Sequence, residues 1–148
     1  MNLVEGFLKS VRVYIQRAEN DKYLDLRLQP KDEIILEKLD PELYKKYLEV
    51  KLRNMKEREK FKQEVIRIAL QIQDRLQKYG VEVTVDFDTY GYPQYYHLFV
   101  RLPRNYQLSE DSLQQFIAEL EAIGLVYIPS VNNWGYMAKF GEYPPFKL

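Results

Sequence analysis

Asp86, Asp88 and His97 are the residues of this chain whose types and spacing could do chemistry. Carboxylates two apart on a strand point to the same side. Such a pair can share a divalent cation, with a nearby histidine as a further ligand or a base, as in metal-dependent hydrolysis of phosphodiesters. His97 is the only histidine among 148 residues. The segments that carry the three, VEVTVDFD (81–88) and YYHLFVRL (95–102), both alternate apolar with polar around TYGYPQ. That pattern predicts an antiparallel strand pair.

Pairing Glu82 with Arg101 sets the rest of the register. Val81, Val83, Val85 and Phe87 then meet Leu102, Val100, Leu98 and Tyr96 on one buried face. The other face places Asp86 opposite His97 and Asp88 opposite Tyr95. In this register the charges also have ordinary partners, Glu82 with Arg101 and Asp86 with His97. Exposed pairs of this kind contribute only ~0.2–1 kcal/mol each. A solvated sheet face is therefore the simpler reading, and no metal ligand or catalytic residue is firmly assigned. Tyr95, Phe99 and Arg101 share this face. They could stack and bind nucleic-acid bases, or pack against another part of the chain.

The elements that position this hairpin read as follows. Leu3, Phe7, Leu8, Val11, Ile15 and Ala18 recur at helical spacing and predict a helix over 2–19. Residues 23–29 are irregular or extended, and Pro30 opens a short helix through Leu39. Asp40 as N-cap, Pro41 in the first turn and Gly80 as a left-handed stop bound one long helix over 41–79. Unbroken, it is about 58 Å long at 1.5 Å per residue. Its apolar stripe comes in two parts: Tyr44, Tyr47, Leu48, Leu52 and Met55, then Phe61, Val65, Ile68, Ile72, Leu76 and Tyr79. KEREK (56–60) separates them, so the helix either breaks there or projects from the core. Ser109 caps a further helix ended by Gly124, with Leu113, Phe116, Ile117, Leu120 and Ile123 on its buried face. LVYIP (125–129) and WGYMAKF (134–140) form a second hairpin around Asn132 and Asn133.

The expected fold is therefore α+β. A helical region (1–80) precedes a β-β-α-β-β antiparallel sheet region (81–148) packed on a helix, the two forming one compact domain. The stretch Leu113–Phe140, a helix followed by a hairpin with NNWG at its tip, resembles the last helix and wing of a winged-helix domain. It departs from that family in having a strand pair before the helix. The helix also carries Glu110, Asp111, Glu119 and Glu121 where DNA reading would need cations.

Residues 45–62 hold eight Lys/Arg against three Glu in a chain whose 22 basic and 22 acidic residues balance. Lys45, Lys46, Lys51, Arg53, Lys56 and Arg58 are the candidate contacts to a DNA or RNA backbone. The alternative is a solvated helix face stabilised by ion pairs such as Glu49–Arg53. Trp134, Tyr143 and Phe146 are candidate docking aromatics.

The absence of cysteine excludes disulfides, thiol catalysis and cysteine-ligated metals. No Walker loop, G-x-G-x-x-G, H-E-x-x-H or G-x-S-x-G is present. No run approaches the ~20 apolar residues that span a bilayer, and the N-terminus lacks a signal-peptide layout. The expectation is a cytoplasmic, cofactor-free protein. Thirteen tyrosines and an overlong helix favour a non-enzymatic interaction or assembly module, self-associating through helix 41–79 and tyrosine-rich surfaces. Nucleic-acid association through 45–62 is the first alternative. A phosphodiester hydrolase using Asp86, Asp88 and His97 is the second.

Overall fold

The computed structural model describes residues 2–87, 94–103 and 107–148. Asp88 lies outside the described residues. The fold is α+β, with helices α1 (Leu3–Asn20), α2 (Pro30–Leu39), α3 (Pro41–Arg75) and α4 (Glu110–Ile123). The strands are β1 (Glu82–Phe87), β2 (Tyr95–Arg101), β3 (Val126–Ile128) and β4 (Asn133–Lys139). Contacts group the chain into two compact units, Met1–Phe61 and Lys62–Leu148. The sequence division at residue 80 marks where helix gives way to strand; the contact grouping divides within α3.

In the first unit side chains cap α1 and α3, and a proline opens α2. The Asn2 side chain accepts from the Glu5 amide at 2.8 Å, and the Asp40 carboxylate accepts from the Leu43 amide at 3.0 Å. Pro30 opens α2, where its missing N–H costs nothing. The core gathers Val11, Ile15 and Ala18 of α1, Leu24 and Leu26, Leu36 of α2, and Tyr47 and Val50 of α3.

Leu24 and Leu26 belong to the irregular segment 21–29, whose backbone groups need partners that no sheet or helix supplies. Side chains provide them. The Tyr14 hydroxyl donates to the Asp25 carbonyl at 2.9 Å and accepts from the Arg27 amide at 3.2 Å. The Tyr47 hydroxyl accepts from the Leu28 amide at 3.0 Å, and the Arg58 guanidinium donates to the Tyr23 carbonyl. Tyrosine suits this work because its ring enters the core while its hydroxyl reaches the chain beyond.

α3 runs unbroken through KEREK, about 52 Å at 1.5 Å per residue. It ends at Arg75, four residues before the expected stop, in a tight turn over Gln77–Tyr79. Gly80 follows at φ 68°, in the left-handed conformation that the sequence assigns to it. The buried side of the helix differs from expectation in its first half. Leu48, Leu52 and Met55 were expected in the core stripe but are exposed. Tyr47 is buried as expected, and Val50 and Asn54 take the core positions of the others. The reason is Asn54, whose amide is drawn inward by three backbone carbonyls, which hydrophobic periodicity does not register.

The second unit is a four-stranded antiparallel sheet in the order β1-β2-β4-β3. The β1–β2 register is the one read from the sequence, Glu82 to Arg101 through Phe87 to Tyr96. Leu98, Val100 and Val81 line the apolar face, with Val83 and Val85 beside them. Two helices supply the cover: α4 through Phe116, Leu120 and Ile123, and the end of α3 through Ile68, Ala69 and Ile72, with Leu76 just beyond it. The sequence reading assigns only α4 to this position. Ser109 caps α4 by accepting from the Ser112 amide at 3.2 Å, and Gly124 ends it at φ 114°. Asn132 at φ 53° turns the second hairpin.

Candidate functional site

The sheet face opposite the helices carries the residues singled out for chemistry. Glu82, Asp86, Tyr95 and Arg101 are exposed, and His97 is half-buried. Asp86 stands opposite His97, as the register requires. Among the described residues, however, neither Asp86–His97 nor Glu82–Arg101 closes to ion-pair distance. The His97 ring lies instead beside the Phe99 ring, with centroids 5.6 Å apart. Glu82 and Asp86 are four residues apart on one strand, about 13 Å at 3.3 Å per residue. That separation is too great for a shared cation. No group of three His, Cys, Asp or Glu side chains able to hold a metal occurs among the described residues.

Phe99, a candidate contact residue, is only 8% exposed. It faces Gly135 across the β2–β4 ladder, and its ring fills the space a side chain there would take. Met137, opposite His97, and Tyr95 stay exposed and give this face a partly apolar character.

The candidate aromatics of the C-terminal region divide. Trp134 packs against the core edge-on to Tyr127 at 5.7 Å, beside a cavity of about 340 Å³ that Val100, Leu102 and Phe116 also line. Phe146 folds back onto the core and meets Tyr136 edge-on at 5.2 Å. The tail is tied by the Lys147 amide donating to the Ile123 carbonyl at 3.0 Å. Of the three, only Tyr143 is exposed.

The basic residues of α3 are largely occupied within the chain. Lys46 pairs with Glu19 at 3.1 Å and Lys51 with Glu33 at 3.1 Å. Arg53 donates to the Ala18 carbonyl at 2.7 Å and to the Asn54 side-chain oxygen, a cation placed where the carbonyl end of α1 favours one. Burial lowers the Arg58 pKa, with Asp25 opposing. Only Lys45 and Lys56 of the six point outward without such a bond among the described residues. These ion pairs join different elements; the expected Glu49–Arg53 pair along the helix is not formed.

Around Lys51 the charges are coupled. The Tyr47 hydroxyl donates to Glu33 at 2.9 Å, and Lys51 donates to the same oxygen. The tyrosine hydrogen bond, with Lys51 adding to it, holds the Glu33 pKa below its ordinary value against partial desolvation. Desolvation works against the Lys51 ammonium, but the bond to Glu33 and the charges nearby outweigh it and raise the Lys51 pKa. This cluster locks α2 onto α3.

Leu48, Leu52 and Met55 remain. They recur at i, i+4 and i+7 on α3, so they form one stripe. Their exposures are 41%, 53% and 49%, respectively. Scattered exposed leucines are ordinary, but an aligned set on a rigid helix is a surface that another chain can cover. Sequence reasoning finds these residues and assigns them to the wrong side. The spacing of Leu43, Tyr47, Val50 and Asn54 is the signal that points the other way. No helix among the described residues is long and apolar enough to cross a membrane. Comparison with protein-family models, with curated proteins and with solved structures finds no match to this chain.

Proposed function

We propose that this protein is a non-enzymatic interaction module that self-associates through the outward stripe of α3. The observation that carries the reading is the exposure of Leu48, Leu52 and Met55 on one face of a helix whose opposite side holds a core. Covering a leucine of this kind contributes about 25 cal/mol per Å² of apolar surface removed from water. The internal engagement of Lys46, Lys51, Arg53 and Arg58 leaves less charge for a nucleic-acid backbone. The spread of Glu82, Asp86 and His97 along an open sheet gives a hydrolase little to work with. The interaction reading is thus the better supported of the three.

Light scattering at micromolar concentration tests it. The wild-type chain is expected above monomer mass, and Leu52→Lys is expected to return it to monomer with its far-UV spectrum unchanged. A wild type that is monomeric throughout that range sinks the proposal.

A further inference from the structure

We propose that a second copy of this chain docks antiparallel on α3, with the two-fold axis passing between the two copies of Leu52. This rests on the self-association reading above and adds the geometry of the pair.

Lys45 and Glu59 lie seven residues before and after Leu52, and both are exposed. At 1.5 Å and 100° per residue, each is displaced about 10.5 Å along the helix and about 20° around it, in opposite senses. A two-fold axis perpendicular to the paired helices at the level of Leu52 reverses the displacement along the helix and keeps the one around it. Lys45 therefore arrives level with the partner's Glu59, the two about 20° to either side of the seam and within reach of long side chains, and Glu59 likewise with the partner's Lys45. The same operation sets Leu48 against the partner's Met55, since both lie on the same side of Leu52 and about 5 Å from its level. On the other side of the seam Glu49 comes beside the partner's Lys56.

A parallel arrangement would instead bring Lys45 near the partner's Lys45, and Glu59 near the partner's Glu59. Opposite charges equidistant from an apolar centre are what an isologous interface requires, since the patch must complement its own rotated image. That symmetry favours a second copy over an unrelated acidic or basic segment, which would match one end of the stripe and oppose the other.

The chain lacks cysteine, so introduced thiols report the geometry directly. Facing helices 8–10 Å apart bring residues on the axis within disulfide range, which ends near 7 Å between Cα atoms. Leu52→Cys is expected to give a disulfide-linked dimer on mild oxidation. Lys45→Cys alone is expected not to, because the two copies of that residue are about 21 Å apart along the axis. Lys45→Cys combined with Glu59→Cys should cross-link.

A charge exchange provides the second arm. Lys45→Glu and Glu59→Lys should each raise the dimer dissociation constant roughly tenfold at low salt. An equimolar mixture of the two should recover association, because the heterodimer restores both attractions. Cross-linking of Lys45→Cys alone, or no recovery on mixing while wild type stays dimeric and Leu52→Lys stays monomeric, overturns the antiparallel pairing but spares self-association. A monomeric wild type overturns both.

Discussion

Asn54 of α3 donates its side-chain amide to the Ala18 carbonyl at the end of α1, 3.0 Å away and 36 residues earlier in the chain. The same amide reaches the carbonyls of Asp21 at 3.2 Å and Leu24 at 3.0 Å, while Arg53 holds its oxygen. The last carbonyls of a helix lack partners within it, and here one buried side chain serves both the helix end and the segment beyond. Asn54→Leu keeps the branching at Cγ and strands those carbonyls. It should lower the unfolding free energy by about 3 kcal/mol in urea denaturation. An unchanged midpoint would show that water takes over the role.

Glu33 links stability to pH. Its pKa is depressed in the folded chain, chiefly by the Tyr47 hydrogen bond. A depressed carboxylate stabilises the fold above its unfolded pKa, and that contribution is lost as pH falls through the lower folded value. Glu33→Gln should therefore be less stable than wild type at neutral pH. The gap should close below the ordinary glutamate value of 4.5. Urea unfolding at a series of pH values checks this; a gap that widens in acid contradicts it.

Gly135 lets β2 and β4 approach closely. A Cβ there would stand 2.2 Å from the Leu98 carbonyl oxygen and 3.2 Å from the Phe99 ring. The first contact is with backbone and cannot be relieved by a rotamer change. Gly135→Ala should destabilise by about 1–3 kcal/mol, as overpacking does. Shortening Phe99 in the same chain should not rescue it. Rescue by Phe99→Ala would place the conflict with the ring instead.

Gln73 guards a sheet edge. Its side chain donates to the Val81 carbonyl at 2.5 Å and accepts from the Val83 amide at 2.6 Å, on the outer side of β1. An open edge invites pairing with another chain. Gln73→Ala should cost about 1–2 kcal/mol and speed hydrogen exchange at Val83. Unaltered protection of that amide would mean the edge is held by other contacts.

Much of the fold is legible in the residues. The β1–β2 register follows from period-two alternation, because a slip by one residue would turn Leu98 and Val100 to water. Asp40, Ser109, Gly80 and Gly124 mark helix ends through bonds and backbone angles that reach no more than a few residues. The candidate site was less legible. Leu48, Leu52 and Met55 look like core because hydrophobicity is the only signal that periodicity weighs. The buried alternative contains an asparagine.

The sequence by itself determined which segments are helix and which are strand, the caps that open them, and which face of the hairpin is apolar. These features depend on neighbours within one turn of helix or one strand pair. Tertiary structure alone decided which side of α3 is buried, that the end of α3 joins α4 over the sheet, and that Lys46, Lys51, Arg53 and Arg58 serve the chain itself. Each of those outcomes depends on a partner many residues away, such as Ala18 for Asn54, Glu33 for Lys51 and Tyr23 for Arg58. The identity of such a partner is set by packing, which local spacing does not encode. The same cause governs Asp86: its neighbour His97 is where the register puts it, but the His97 ring lies beside Phe99.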